Sequence, residues 1–166
     1  MIVLGIDPGL ANTGYGVVAR REGRLVALDG GVIETSPSLA PERRLAIVYR
    51  RLVEIIEEHA CAVMALEQLY FGQNAQSAFA VGQARGVCML AAGERELECF
   101  SYTPQQVKAS VCGHGRAPKD QVARMVGVLL ALGPQPMADH ASDALAVAVC
   151  HTNRAPLAAA LAGALQ

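Results

Sequence analysis

The chain has 166 residues, a net charge of −1 and a hydrophobic share of 52%, which fits one domain with a core of its own. No uncharged apolar run reaches the roughly 18 to 20 residues of a membrane span, and Asp7 falls where the apolar core of a signal peptide would lie, so neither a membrane protein nor an exported one is expected, and the cytoplasm is the expected compartment. Five cysteines, with no two inside a Cys-x-x-Cys spacing, outline neither a disulfide framework nor a zinc site, and reduced thiols are expected.

The stretch GIDPGLANTGYGVV, residues 5–18, organises the chain. It ends an apolar strand (Ile2 to Ile6), places Asp7 at the strand end, turns at Pro8 and Gly9 and enters a second strand near Gly14. Its glycines let another backbone come close, an arrangement that suits a metal or phosphate held against a sheet. A third strand over Leu25 to Ile33 completes an antiparallel meander. Pro41 then starts a helix with Ser38 as its expected cap, and Leu45, Val48, Leu52, Ile55 and Ile56 form its apolar stripe. Cys61 to Leu66 reads as a buried strand that finishes on a second acid, Glu67.

Residues 68–74 read as a loop exposing Tyr70 and Phe71. From Ala75 to about Gly93 the pattern is helical, with Ala75, Ala78, Gly82 and Gly86 making one smooth face suited to close helix packing. Leu97 to Tyr102 is a fifth strand, Thr103-Pro104 caps and opens a short helix, and Cys112 to Ala117 is a glycine-containing loop. Helices are expected over Pro118 to Leu132 and from Asp139 to about Asn153. Residues 1–155 read as one domain and 156–166 as an apolar C-terminal tail. The order β-β-β-α-β-α-β-α-α-α predicts an α/β fold, a five-stranded mixed sheet flanked by helices.

Charge is unevenly spread. Residues 1–51 carry 7 Lys/Arg against 5 Asp/Glu, residues 52–100 carry 2 against 7, and residues 101–166 carry 5 against 3; the fold could bring the two basic ends to one face. Within the last third, Lys108, Arg116, Lys119 and Arg124 stand against Asp120 alone over residues 105–124, a patch suited to phosphates.

The acids suggest the chemistry. If the first and fourth strands are neighbours, Asp7 and Glu67 meet at their ends, and a last helix bearing His140 and Asp143 three residues apart can complete the set. Three carboxylates and an imidazole repel or compete unless cations lie between them, and this donor set suits Mg²⁺ or Mn²⁺. Two such ions can bind a phosphodiester for in-line displacement. Asp139 is the alternative to His140 at the site, and it also reads as a helix cap.

Four blocks, GIDPGLANTGYGVV (5–18), ALEQLYFGQNAQSAFAVGQARGV (65–87), QQVKASVCGHGRAPKDQV (105–122) and DHASDALAVAVCH (139–151), resemble those of the bacterial RuvC Holliday-junction resolvases in order and spacing. The resemblance implies a ribonuclease H-like fold, a homodimer acting on four-way junction DNA with a branch-migration motor as partner, and metal-dependent symmetric nicking. It assigns the catalytic and metal-holding positions to Asp7, Glu67, His140 and Asp143, with histidine where some members have aspartate. It assigns Tyr70 to the junction centre, where a ring face stacks on any base, and Lys108 and Lys119 to the functional lysines; Arg116 joins them as a DNA-binding residue of the basic loop. Two rival readings remain on the sequence: a non-catalytic nucleic-acid-binding module on the same fold, and a single-domain relative of actin-like nucleotide-binding proteins, which open with a similar acid, glycine turn and hairpin.

Overall fold

The computed structural model describes residues 1–68, 75–133 and 137–164. Its elements are β1 (Ile2–Asp7), β2 (Asn12–Arg21), β3 (Arg24–Glu34), α1 (Pro41–His59), β4 (Val63–Glu67), α2 (Ala75–Gly93), β5 (Glu98–Tyr102), α3 (Pro104–Cys112), α4 (Lys119–Leu129) and α5 (Asp139–Ala164). The strands form one sheet in the order β3-β2-β1-β4-β5. The first three pair antiparallel, and β1 with β4 and β4 with β5 pair parallel, so the sheet is mixed, as the element order requires.

The central strands are buried on both faces, and the alternation of their side chains decides what each face carries. Leu4, Ile6, Tyr15, Val17, Met64 and Leu66 pack with Val48, Leu52, Ile55 and Ile56 of α1 and with Cys88, Ala91 and Ala92 of α2. Val3, Val18 and Ala65 face the other way, onto Val107 and Val111 of α3, Val122 and Val126 of α4 and the Leu145 to Cys150 stretch of α5. Each large side chain removed from water in these layers contributes about 1.5–3 kcal/mol. Asp7 lies two and four residues beyond Gly5 and Val3, and Glu67 two beyond Ala65, so both acids belong to the α5 face.

The glycines of β1 and β2 admit α5 rather than a ligand. A β carbon at Gly5 would run into the carbonyl oxygen of Ala144, one at Gly14 into that of His140, and one at Gly16 would lie 2.6 Å from Leu145. Backbone therefore packs on backbone, which fixes the first turns of α5 against the end of β1.

Several local expectations need correction. Ser38 does not cap α1: the N-cap is Ala40, without a side-chain cap bond, and the Ser38 hydroxyl is paired with that of Ser36 at 2.7 Å. Helix α4 stops at Leu129, three residues early, because the chain turns through Ala131 at φ 50. Helix α5 runs past Asn153 to Ala164, through Pro156. A proline has no N–H for the carbonyl four residues back, here Thr152, and Arg20 Nη2 reaches that oxygen at 3.5 Å while bonding Asn153 Oδ1 at 2.7 Å. Arg20 of the β2–β3 hairpin thus meets α5 near its middle, about 20 Å along the helix from Asp139 at 1.5 Å per residue. At Thr103 the expectation holds: its side chain accepts from the backbone N–H of Gln106, whose own side chain returns the bond, a capping box. All five cysteines are free.

Candidate active site

Strand β1 delivers Asp7 and its parallel neighbour β4 delivers Glu67; Ile6 pairs with Leu66 one residue before them. The turn after Asp7 is pinned by the Thr13 hydroxyl, which donates to the Gly9 carbonyl at 2.6 Å. Helix α5 brings His140 and Asp143 over the same spot. His140 Nδ1 lies 2.7 Å from Asp7 Oδ2, and Asp143 Oδ2 lies 3.0 Å from Lys119 Nζ at the start of α4. Asp7, Glu67, His140 and Asp143 are thus gathered at one end of the sheet.

Glu67 lines a cavity of about 190 Å³ with an apolar wall of Pro104, Val107, Val122 and Val147 and a polar rim of Lys108, Lys119 and Asp143. Burial pushes the Glu67 carboxyl up to about 7, helped by the charges of Asp7 and Asp143 and opposed by Lys119 and Lys108. Asp7 is likewise lifted, by burial first; the hydrogen bond from His140 opposes this and Asp143 adds to it. The Lys119 ammonium is held above its usual range, chiefly by its bond to Asp143. Acids that resist ionisation because they are crowded and half-buried are a mark of functional sites.

The donor set, three carboxylates and an imidazole around too little positive charge, fits hard divalent cations. Among the described residues, no three His, Cys, Asp or Glu side chains lie close enough, as they stand, to hold one ion. Asp7 is engaged by His140, and Asp143 by Lys119.

Asp139 lies at the solvent edge of this centre. Its side chain is 81% exposed against 28% for Asp143, and its contact is Lys119 Nζ at 3.5 Å. Lys108 is half-buried beside Glu67, and Arg116 is exposed on the loop between α3 and α4. Tyr70 and Phe71 lie outside the described residues. One contributor went unnoticed in the sequence: Arg85 of α2 donates to the Glu67 backbone carbonyl at 2.9 Å and to Ser101 Oγ at 2.6 Å, tying the end of β4 to β5. Its only sequence signal is a lone charge inside an otherwise small and apolar helix.

A mixed sheet in this order, with acids at the ends of two adjacent parallel strands and on the helix that crosses them, is the ribonuclease H-like arrangement. Residues 3–151 match the family model described as Crossover junction endodeoxyribonuclease RuvC, and the chain belongs to that family. It is 51% identical to the Crossover junction endodeoxyribonuclease RuvC of Moorella thermoacetica over 94% of this chain and 93% of that one. To that of Pelotomaculum thermopropionicum it is 47% identical, over 92% and 93%. Among solved structures it is similar to Thermus thermophilus RuvC in complex with Holliday junction substrate, with a TM-score of 0.90 and 36% identity over 95% of this chain and 96% of that one. The yeast mitochondrial Holliday junction resolvase, with a TM-score of 0.64 at 15% identity, shares the fold. Nucleases of this family depend on divalent metal.

Proposed function

We propose that this chain is a structure-selective endonuclease that resolves four-way DNA junctions by metal-dependent hydrolysis of one phosphodiester in each of two opposed strands. The observation that carries this is the convergence of Asp7, Glu67, His140 and Asp143 at one end of the sheet, in a chain that matches the family over residues 3–151. These four side chains would hold Mg²⁺ or Mn²⁺, two ions per site. Held there, such ions would supply a nucleophilic water at neutral pH and charge stabilisation at the leaving oxygen.

The remaining roles fall to the chain's own cations and apolar walls. Lys108 and Lys119 rim the cavity beside Glu67 and bind the backbone phosphates on either side of the cut, with Arg116 extending the track. The apolar wall of α3, α4 and α5 limits water around Glu67 and strengthens every charge interaction at the site. Tyr70, three residues past Glu67 in sequence, is the stacking residue for the junction centre.

A homodimer supplies the second cut. Helix α2 carries a stripe of Phe79, Gly82, Gly86, Met89, Leu90 and Gly93, all exposed, with Phe79 at 69%. A β carbon at Gly82 or Gly86 would meet nothing within 4 Å, so this smooth face serves no packing inside the described chain and suits a second copy. The working partner is a branch-migration motor, and the compartment is the cytoplasm. Among the described residues, no helix is long and apolar enough to cross a membrane. Neither rival reading, the non-catalytic module or the nucleotide-binding relative, gains a specific observation.

The test is incubation with end-labelled four-way junctions and linear duplex of the same sequence in Mg²⁺ or Mn²⁺. Paired nicks at symmetric positions in the junction, with the duplex left whole, are expected. Tight junction binding without cutting in either metal would make the chain a binding module instead.

A further inference from the structure

Lys119 Nζ lies between two carboxylates, 3.0 Å from Asp143 Oδ2 and 3.5 Å from Asp139 Oδ2. Only Asp143 belongs to the acid centre; Asp139 is turned outward into solvent. One ammonium is thus shared by an acid of the site and an acid beside it. We propose that Asp139 is a positioning residue for Lys119: the lysine serves as a built-in counter-cation for Asp143, and Asp139 is the perch that takes it over when a divalent cation claims Asp143.

The inference rests on the metal-binding reading of the site and follows from charge balance. Asp7 and Glu67 are raised by burial first and by their neighbouring acids second, and Lys119 opposes the rise at both. A divalent cation arriving at Asp143 meets a positive charge already bonded to its ligand oxygen, so that bond must break first. Without a second acceptor the ammonium would go to water and lose its ion pair, and the attraction of the Asp143 carboxylate would favour its return. Asp139, four residues before Asp143 and on the same side of α5, offers an acceptor that needs only a small swing. It keeps the charge near the site, where a DNA phosphate is its next partner, and it leaves Asp143 free. The spacing is particular to this pair of helices: Lys119 is the first residue of α4 and Asp139 the first of α5.

The hypothesis separates from a plain charge effect in a double-mutant cycle on metal affinity, without DNA or cleavage. Mn²⁺ binding is measured by calorimetry on the full-length protein, Lys119→Met, Asp139→Asn, Asp139→Glu and the Lys119→Met/Asp139→Asn double variant. Lys119→Met is expected to bind Mn²⁺ about five-fold more tightly, since the competing cation is gone, and Asp139→Asn about three-fold more weakly, with a coupling in the range seen for side chains in contact. Asp139→Glu should restore most of the loss. In the Lys119→Met background Asp139→Asn should change the affinity little, because Asp139 then has no lysine to hold. An equal loss from Asp139→Asn in both backgrounds would overturn the inference and make Asp139 a distant charge only, with the metal site intact. No Mn²⁺ binding by the unsubstituted protein would overturn the metal-binding reading and the inference with it.

Discussion

Glu67→Gln should stabilise the metal-free protein at alkaline pH while abolishing cleavage. The folded chain holds the Glu67 proton up to about 7 against 4.5 for an ordinary glutamate, because the carboxylate is half-buried and faces Asp7 and Asp143. Between those two values the native state binds more protons than the unfolded state, so stability falls as pH rises through this window and the full loss is felt above about 7. At about 1.4 kcal/mol per pH unit the ceiling is about 3 kcal/mol, and the solvent contact that Glu67 retains reduces the expected gain for glutamine to about 1–2 kcal/mol. Urea unfolding in chelator at pH 5 and pH 8 measures it. The variant's midpoint should exceed that of the unsubstituted protein clearly at pH 8 and hardly at pH 5, with the slope of the transition unchanged. Added Mn²⁺ should raise the midpoint of the unsubstituted protein and much less that of Glu67→Gln. Equal midpoints at pH 8, or the same offset at both pH values, would refute the reasoning and leave Glu67 as an ordinary surface acid or a packing position.

Asp7→Asn and Asp143→Asn should each lower junction cutting by at least about a thousand-fold, the scale expected when catalysis by the ion is lost, with junction affinity within a few-fold by gel shift. Gly5→Ala should destabilise by at least about 1–3 kcal/mol, as overpacking does, because its β carbon collides with the α5 backbone; thermal unfolding reads it out. Gly82→Leu should leave the monomer fold intact, since nothing lies within 4 Å of the added carbon, yet shift the mass by light scattering from dimer toward monomer. His140→Asp should keep activity and move the metal preference from Mn²⁺ toward Mg²⁺ in a titration of cutting against each ion, since it replaces a nitrogen donor by oxygen.

Much of this architecture is legible because strand and helix periods are strong in the sequence. The apolar run Ile2 to Ile6, the stripe of Val48, Leu52, Ile55 and Ile56, and the Thr103 cap each fix an element with little outside help. Asp7 and Glu67 are readable as strand-end acids, and their meeting follows once β1 and β4 pair in parallel. What local pattern cannot supply is tertiary compensation. The continuation of α5 through Pro156 shows in no local pattern, and the Thr152 carbonyl that the proline leaves without its helical donor is met by Arg20, 132 residues away. Likewise, glycines at 5, 14 and 16 announce a close approach, but only the fold names the partner as the backbone of α5 rather than a ligand. Asp139 and His140 are neighbours in sequence, and the helix rotation that sends one to Lys119 and the other to Asp7 is set by that glycine contact.

That contact also explains how mutually repelling acids are held within one small volume. Asp7 and Glu67 are costly to ionise together, so the site works against the fold's stability, and the opposing force must come from groups that do not titrate. Gly5, Gly14 and Gly16 let α5 press on β1 and β2 with Ala144, Leu145 and Ala148 at the interface, and Val3, Ala146 and Val147 close the layer around it. Such an interface has few side-chain rotamers to relax, so a small outward shift of α5 costs packing along its whole length before the acids gain much separation. The backbone positions of His140 and Asp143 are therefore set by backbone contact rather than by the charges themselves, which on the proposed metal-binding reading leaves side-chain movement alone to close the site around a cation. A substitution that loosens this seam, such as Gly16→Ala against Leu145, should accordingly weaken metal binding more than the loss of global stability alone would account for.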